Sequence, residues 1–372
     1  ATQNLINRGF LDPNEFVFDV GQPGGGILNY APFPALGDAR FAQIQLKHLY
    51  GHRGGWDRSV TPDPTYNEVQ IADDMNVVSP PGRINTVRWI MGQPLDFNPG
   101  GPYTYSNVGF LVLGLIVEQV GGMSHIDFVR ENVFGPIDWM PVSEVVAGRT
   151  FVSDRDPREP WYDDDTMVTN VFDPDGDTVR RPAGGWDHEA RIGQGGFVVS
   201  TTALLHLLEN YYVNRDPGTG DASSYGQPTN GVRDDRTHNG SMPGGTNSRI
   251  VQRSDGINYV VIFNKRGNDV NSPDPNNPLS YNQAIRLLID AEIDAGGFTW
   301  PTQAVDGQWA DFNAAGGDGS YEQPWSDFTT AMSSSPDEAT VNIKASTTNW
   351  TGTINQRVRI RAPQGTAVIG QQ

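Results

Sequence analysis

Two short stretches concentrate the side chains that can move protons. One is Tyr103-Thr104-Tyr105-Ser106-Asn107; the other is His238-Asn239-Gly240-Ser241. Phenol, imidazole, hydroxyl and amide groups are the parts an acyl transfer uses. Such a reaction needs a nucleophilic oxygen, a proton acceptor for it, and N–H donors for the developing oxyanion. Neither Ser106 nor Ser241 lies in a Gly-x-Ser-x-Gly elbow, so neither is marked as a nucleophile by its surroundings. Nothing in the sequence supports a triad built from Ser241, His238 and an aspartate.

The elements that must position these groups are legible around them. Pro102 sets a turn, and from Val108 the chain turns apolar through Phe110, Leu111, Leu113, Leu115, Ile116 and Val120. This pattern predicts a helix with Ser106 or Asn107 as N-cap and Gly121-Gly122 as its end. A second amphipathic run (Ile126, Phe128, Val129, Val133, Phe134) has Ser124 as cap and Gly135-Pro136 as stop. Tyr105 and Asn107 therefore sit where a loop feeds the N-terminus of a very apolar helix, a place that holds polar groups rigid at the edge of a core. Behind the second stretch, residues 248–253 and 257–263 read as strands joined by Asp255-Gly256, a strong hairpin signal. Ser200 or Thr201 caps a helix carrying Leu204, Leu205, Leu207 and Leu208, and an amphipathic helix is expected over 279–295 with Pro278 before it and Gly296-Gly297 after it. Residues 84–91 read as helical, 61–82 as Pro-rich loops, and 142–191 as a long acidic loop excursion of the kind that covers a site.

The run Pro99-Gly100-Gly101-Pro102-Tyr103-Thr104-Tyr105-Ser106-Asn107, followed by an apolar helix and Gly122-Met123-Ser124, resembles the Tyr-x-Asn segment of the serine hydrolases with a β-lactamase fold. These include class C β-lactamases, D-alanyl-D-alanine peptidases and β-lactamase-like esterases. His52-Arg53-Gly54-Gly55-Trp56 resembles a segment beside the site of that family. Gly195-Gly196 with the helix after it resembles the family's Gly-Gly-x-x-Ser-x-x-Asp-Leu, with Ala203 in place of the Asp. His238-Asn239-Gly240 stands where the family has Lys-Thr-Gly. The resemblance implies an α+β fold, with a penicillin-binding-protein-like antiparallel sheet, flanking helices and an all-helical lobe. It implies Tyr105 as general base and acid, His238 as the cation of the edge strand, and the Ser241 backbone N–H as an oxyanion donor. Asn107, Asn239 and Gly240 become substrate-binding residues.

A departure accompanies the resemblance. The family's nucleophile motif is Ser-x-x-Lys, and no Ser in this chain has Lys three positions later. Leu5, Ile6 and Gly9 resemble the tail of the helix that carries that motif, which places the Ser and Lys before Ala1 or on another chain. The groove so left is expected to be filled by a second chain or a dimer mate. His52 reads as a structural residue of a Gly-rich turn, His188 as loop surface, and His206 as a packed or surface histidine.

The 372 residues carry a net charge of −18, with 37 % hydrophobic residues. The acidic balance argues against a nucleic-acid partner, and the apolar content supports a packed core. There is no cysteine, which removes disulfides and thiolate metal sites. No apolar run approaches the ~20 residues of a membrane span. Asp173-Pro174-Asp175-Gly176-Asp177 alternates carboxylates, but the glycine and distal Glu of a calcium loop are out of register, so a solvated turn is expected and no cofactor is called for. Residues 1–297 read as the hydrolase domain, 298–305 as a linker, and 306–372 as a small β-rich extension resembling the opening coils of a right-handed β-helix. The expected function is acyl transfer on a small ester or amide, in a secreted or periplasmic protein. The alternative is a non-catalytic binding or surface module that keeps the fold.

Overall fold

The computed structural model describes residues 1–137, 140, 142–213, 226–229, 235–268, 278–296, 308–337, 339–362 and 366–370. The chain divides into two compact units, Ala1–Leu288 and Ile289–Gln372. The linker expected at 298–305 lies outside the described residues.

The first unit is built around one apolar helix. Its helices run α1 (Thr2–Asn7), α2 (Leu46–Tyr50), α3 (Glu68–Met75), α4 (Gly82–Met91), α5 (Asn107–Gly121), α6 (His125–Phe128) and α7 (Thr201–Asn210), with α8 (Tyr281–Asp294) at its end. α5 is the predicted apolar helix. Nine of its residues are buried, including Val112 and Ile116 at 0 % exposure. With every face apolar, the helix is enclosed rather than half-buried, packed among Leu5, Phe18, Leu28, Leu46, Leu49 and Phe128. It ends at Gly122 in the left-handed conformation (φ +67°). α6 is capped by Ser124 Oγ, which accepts from the Asp127 N–H, and continues as a π-helical turn, Val129–Phe134. Among the described residues no helix is long and apolar enough to cross a membrane by itself.

The structure differs from expectation between Thr61 and Gly82. Where loops were expected there is a 3-10 turn, Pro64–Tyr66, and then α3. α3 buries Ile71, Ala72 and Met75 together with Glu68. Its single apolar stripe is short and interrupted by Gln and Asp, so it shows little periodicity.

The strands are short. β1 (Val145–Ala147), β2 (Met167–Val168), β3 (Val179–Arg180) and β4 (Phe197–Val199) lie in and after the long excursion, β1 pairing with β4 and β2 with β3. β5 (Arg236–Met242), β6 (Thr246–Gln252) and β7 (Asn258–Phe263) form an antiparallel sheet in sequence order. The register pairs His238 with Ile250, Asn239 with Arg249, Gly240 with Ser248 and Ser241 with Asn247. Side chains alternate across a strand, so His238 and Gly240 share one face while Asn239 and Ser241 share the other. α8 packs on the second face: Arg249 Nη2 donates to Asn282 Oδ1 at 3.2 Å, and Asn282 Nδ2 donates to Asn247 Oδ1. On the first face Gln252 Nε2 donates to the carbonyls of Leu208 and Tyr211 at the end of α7.

In the second unit β8 (Gln308–Ala310), α9 (Phe328–Ser333), β9 (Thr340–Ile343), β10 (Thr347–Thr348), β11 (Arg359–Arg361) and β12 (Val368–Ile369) surround a small core of Ala310, Phe328, Ala331, Met332, Val341 and Ile343. All pairings of these strands are parallel: β9 lies between β8 and β11, and β10 pairs with β12.

One backbone contact joins α5 to the segment before β4. A methyl group on Gly193 would sit 2.5 Å from the Phe110 carbonyl oxygen and 3.1 Å from Gly114 Cα. Backbone cannot yield as a side chain does, so Gly193→Ala should cost about 1–3 kcal/mol of stability. Urea unfolding measures this, and an unchanged midpoint and slope would contradict so close an approach.

Candidate active site

The site grows from a turn that only an unusual backbone can make. His52 follows α2 with φ +52°, a left-handed conformation uncommon outside glycine. This turns its imidazole into a cluster of rings: Tyr105 at 4.7 Å, Phe110 at 5.0 Å and Tyr103 at 5.5 Å between centroids. The next strip of chain is bonded onto that turn. The Thr104 N–H donates to the His52 carbonyl at 2.9 Å, and the Ser106 N–H donates to His52 Nδ1 at 3.2 Å. Nδ1 is thus the acceptor, which puts the proton of the neutral ring on Nε2. His52 is the template on which the Tyr103–Asn107 strip is laid.

A carboxylate fixes the other side of that strip. Asp63 is the N-cap of the Pro64–Tyr66 turn, its Oδ1 accepting from the Thr65 N–H at 3.0 Å and the Thr65 hydroxyl at 2.8 Å. Its Oδ2 accepts from Asn107 Nδ2 at 2.6 Å. A carboxylate can only accept, so the Asn107 amide has to present its nitrogen to Asp63 and its oxygen to the opposite side. There the Tyr105 hydroxyl donates to Asn107 Oδ1 at 3.1 Å. The direction of the phenolic proton is therefore set by Asp63, and the phenol's lone pairs are left to face elsewhere.

The charges around the phenol follow from burial. Desolvation and then the neighbouring Tyr66 phenol push the Tyr105 pKa above its ordinary value of 10, while Arg58 pulls it down. The Arg58 guanidinium carbon lies 4.9 Å from the Tyr105 ring centroid. His238 does not supply the cation expected of it. Burial, then Arg249, holds its imidazole below the usual range, so it is neutral near pH 7. His238 and His52 are electrostatic neighbours, a charge on His238 counting among the causes that lower the His52 pKa after burial. The His52 ring lies against the phenol, and a charge on the strand imidazole would be felt at His52. Gly195 and Gly196 lie by the same strand face, with the Met242 methyl 3.7 Å from where a Gly195 side chain would begin.

The remaining candidates separate. Asn239 and Ser241 are exposed on the face opposite His238, so the Ser241 hydroxyl and the His238 imidazole point to different sides of the sheet. Ser106 is buried beneath the strip. His188, expected at the surface, is half-buried, taking the Trp186 indole N–H at 3.0 Å. His206 lies half-buried on α7. Among the described residues no group of three His, Asp or Glu side chains could hold a metal ion.

Comparison with known proteins gives the family of the chain. The family model described as Beta-lactamase matches residues 1–281. The chain belongs to the β-lactamase family. Its β-lactamase/penicillin-binding-protein-like fold combines helices with small antiparallel sheets, as the motifs implied. Proteins named "Putative D-alanyl-D-alanine carboxypeptidase" from Escherichia coli O157:H7 and from Escherichia coli K12 are each 26 % identical over 137 residues, which is 37 % of this chain and 29 % of theirs. The chain thus spans under a third of the length of those curated relatives. Among solved structures, D-amino acid amidase from Ochrobactrum anthropi SV3 is 18 % identical with a TM-score of 0.48, covering 79 % of this chain and 80 % of that one. The penicillin-binding protein homologue from Pyrococcus abyssi is 18 % identical with a TM-score of 0.46, covering 79 % and 63 %.

Asp63, Tyr66 and Arg58 lie around Tyr105 in this candidate site, and sequence reasoning passed over all three. The signal at Asp63-Pro64 was a cap residue followed by proline, submerged in a Pro-rich stretch. Arg58 carried no signal, being one exposed arginine in a turn.

Desolvated imidazoles make the fold sensitive to acid. Burial first, then neighbouring cations, lowers His52 to about 4, His188 to about 4 and His125 to about 3. From pH 6.5 down to about 4 the unfolded chain takes up these protons and the folded chain does not, so stability falls across that window. Glu68, raised to about 7 by burial, opposes this, because the folded state holds its proton first. His48 and His238 are lowered too, and Asp187 and Glu159 raised; with five imidazoles against three carboxyls, thermal melts should show a loss between pH 7 and pH 4.5. His52→Gln should reduce that loss by on the order of 1–3 kcal/mol, and an identical pH dependence in the variant would contradict a neutral His52.

Proposed function

We propose that this protein is a serine hydrolase acting by acyl transfer on small esters or amides, with Tyr105 as the group that takes and returns the proton. The nucleophilic Ser and its Lys are supplied from outside Ala1–Gln372, since no Ser-x-x-Lys occurs within it. The observation that carries the reading is the chain Tyr105–Asn107–Asp63 laid against His52, in a member of the β-lactamase family. It holds a phenol at the mouth of a buried helix with its proton direction defined.

The roles follow from the chemistry. Tyr105 is a phenol at neutral pH, and a positive charge brought close favours the phenolate. Arg58 supplies one such charge, and the lysine of the missing motif would supply the second. The neutral His238 then acts as a hydrogen-bonding group on the strand, beside Gly240, where substrate can lie against the backbone. The Ser241 N–H is proposed as one oxyanion donor and Asn107 as a substrate contact, while the Asn239 side chain faces the other side of the sheet. The name carried by the curated relatives makes peptides ending in D-Ala-D-Ala a substrate to include beside simple esters. An exported location fits that class. We further read residues 306–372 as a separate small module, its parallel strand pairs stacking as successive coils do in a solenoid.

A second reading has its own support. Ser106 is buried and the Ser241 hydroxyl faces away from His238, so neither replaces the missing nucleophile. Ala1–Gln372 alone would then bind ligands without turning them over.

Hydrolysis of p-nitrophenyl acetate and labelling by a fluorophosphonate probe test the proposal. A full-length protein carrying Ser-x-x-Lys should label and turn over. Tyr105→Phe should lower kcat/KM on the order of 10²–10⁴-fold and abolish fast labelling. Labelling at an unaltered rate in Tyr105→Phe would remove the phenol from the mechanism, and an inert full-length protein would favour the binding module.

A further inference from the structure

Among the described residues the largest fully buried side chain is an arginine. Arg191 is 2 % exposed, in the 3-10 turn Glu189–Arg191 that leads to Gly193 and Gly195-Gly196. Its Nη2 donates to the Thr65 carbonyl at 2.7 Å and lies 3.6 Å from Glu68 Oε1. Its guanidinium carbon stands 4.1 Å from the Tyr66 ring centroid and 5.4 Å from that of Trp186. Its Nε is buried without a hydrogen-bond partner. Glu68, also buried, accepts from the Asp187 N–H at 3.0 Å and lines a small, partly open pocket that Arg191 lines too.

This is a costly arrangement. Taking two charges out of water is repaid only by close geometry and fully satisfied hydrogen bonds, and here the pair is loose and one N–H is orphaned. Apolar residues of the same volume would serve the core as well or better. What Arg191 does that they could not is hold the Thr65 carbonyl and the Tyr66 ring together. Those two residues form the turn that Asp63 caps, and Asp63 holds Asn107, which receives the Tyr105 proton.

We propose that Arg191 is a positioning residue for Tyr105, fixing the Asp63–Tyr66 turn so that Asp63 orients the Asn107 amide and, through it, the phenol. The inference rests on the hydrolase reading for its kinetic consequences, and on geometry alone for its structural ones. It assigns the excursion before β4 a second duty besides walling the site, namely to brace the far end of the polar chain.

The test uses Glu68→Gln/Arg191→Met, which removes both charges, with Arg191→Lys and Asp63→Asn beside it. In the full-length protein the double variant should keep its melting temperature or gain a few degrees, because a buried pair is often neutral or stabilising to replace. Its kcat should nevertheless fall about 10- to 100-fold, with KM little changed. Arg191→Lys, which keeps a donor for Thr65, should recover part of the loss. Asp63→Asn turns its own N–H₂ toward that of Asn107 and should flip the Asn107 amide, costing kcat by itself. Combined with Arg191→Met it should cost little more than the larger single loss, since both act through one chain. A folded double variant with kcat within about twofold of the parent would overturn the proposal. So would a fall in melting temperature that matches the fall in kcat, or losses that multiply. A readout without turnover separates this from failure of the hydrolase reading. The ionisation midpoint of Tyr105, taken as the spectral difference from Tyr105→Phe, should move down toward 10 in the double variant, as burial of a loosened phenol is relieved. An unmoved midpoint would overturn the positioning role whether or not the protein proves to be a hydrolase.

Discussion

A carboxylate cannot donate a hydrogen bond, and the candidate site depends on that fact. Because Asp63 only accepts, the Asn107 amide has one allowed orientation, and the Tyr105 hydroxyl therefore has one good acceptor. Asp63 can do this because it is already tied down as the cap of a proline-started turn. The same turn leads into α3, whose buried Glu68 anchors the loop opposite through the Asp187 N–H. Two loops and a helix terminus are held in register by polar contacts at the edge of an apolar core, where weak hydrogen bonds are protected from competition by water.

The distribution of charge has a consistent logic. The protein is strongly acidic overall, yet an imidazole and an exposed guanidinium lie against the Tyr105 ring, with the Tyr66 phenol and the Asp63 carboxylate also felt there. Burial lowers His52 and His238 alike, so they pack as polar aromatic rings, His52 as a stacking surface and hydrogen-bond acceptor. That leaves the Arg58 guanidinium as the cation at the Tyr105 ring. A lysine on the strand would have placed its charge across the cleft from the phenol. An arginine in the turn after α2 places it on the ring face, where the attraction is to the π-cloud and the influence on the hydroxyl is weaker. The phenol therefore stays protonated until a further cation joins it, which is consistent with a site completed by a second basic residue.

What could be read from the sequence was whatever local pattern decides. The all-apolar run after Asn107 could only be a core helix; it starts after Ser106, which makes no side-chain cap bond, and ends at the left-handed Gly122. Ser124, Ser200 and the Asp255-Gly256 hairpin were equally local and fell where expected. The Tyr-x-Asn and His-x-Gly segments stood out because each is a compact string of unusual residues. The parts that stayed hidden are those decided by tertiary contact. α3 has too few apolar positions to announce itself, and it forms because Ile71 and Met75 find a core. Arg58, Asp63 and Tyr66 became site residues only when a turn brought them to Tyr105. The buried state of Arg191 is unreadable in a sequence, where an arginine in an acidic loop reads as solvated surface.

The contrast between α5 and the Arg191–Glu68 pair explains how stability and site geometry are divided in this fold. α5 is held by apolar burial, which is strong but indifferent to rotation by a few degrees or slippage by a few tenths of an ångström. Such packing keeps Asn107 near the right place without aiming its amide. Aim comes from directional groups, and directional groups at a core's edge must be desolvated, at a cost the core has to cover. The protein confines that cost to one guanidinium, one carboxyl and one capped turn, and lets the apolar helix absorb it. A phenol that must accept a proton from one direction and return it toward another needs such a frame. The polar chain from Arg191 to Tyr105 is therefore better understood as the cost of orientation than as a contribution to folding.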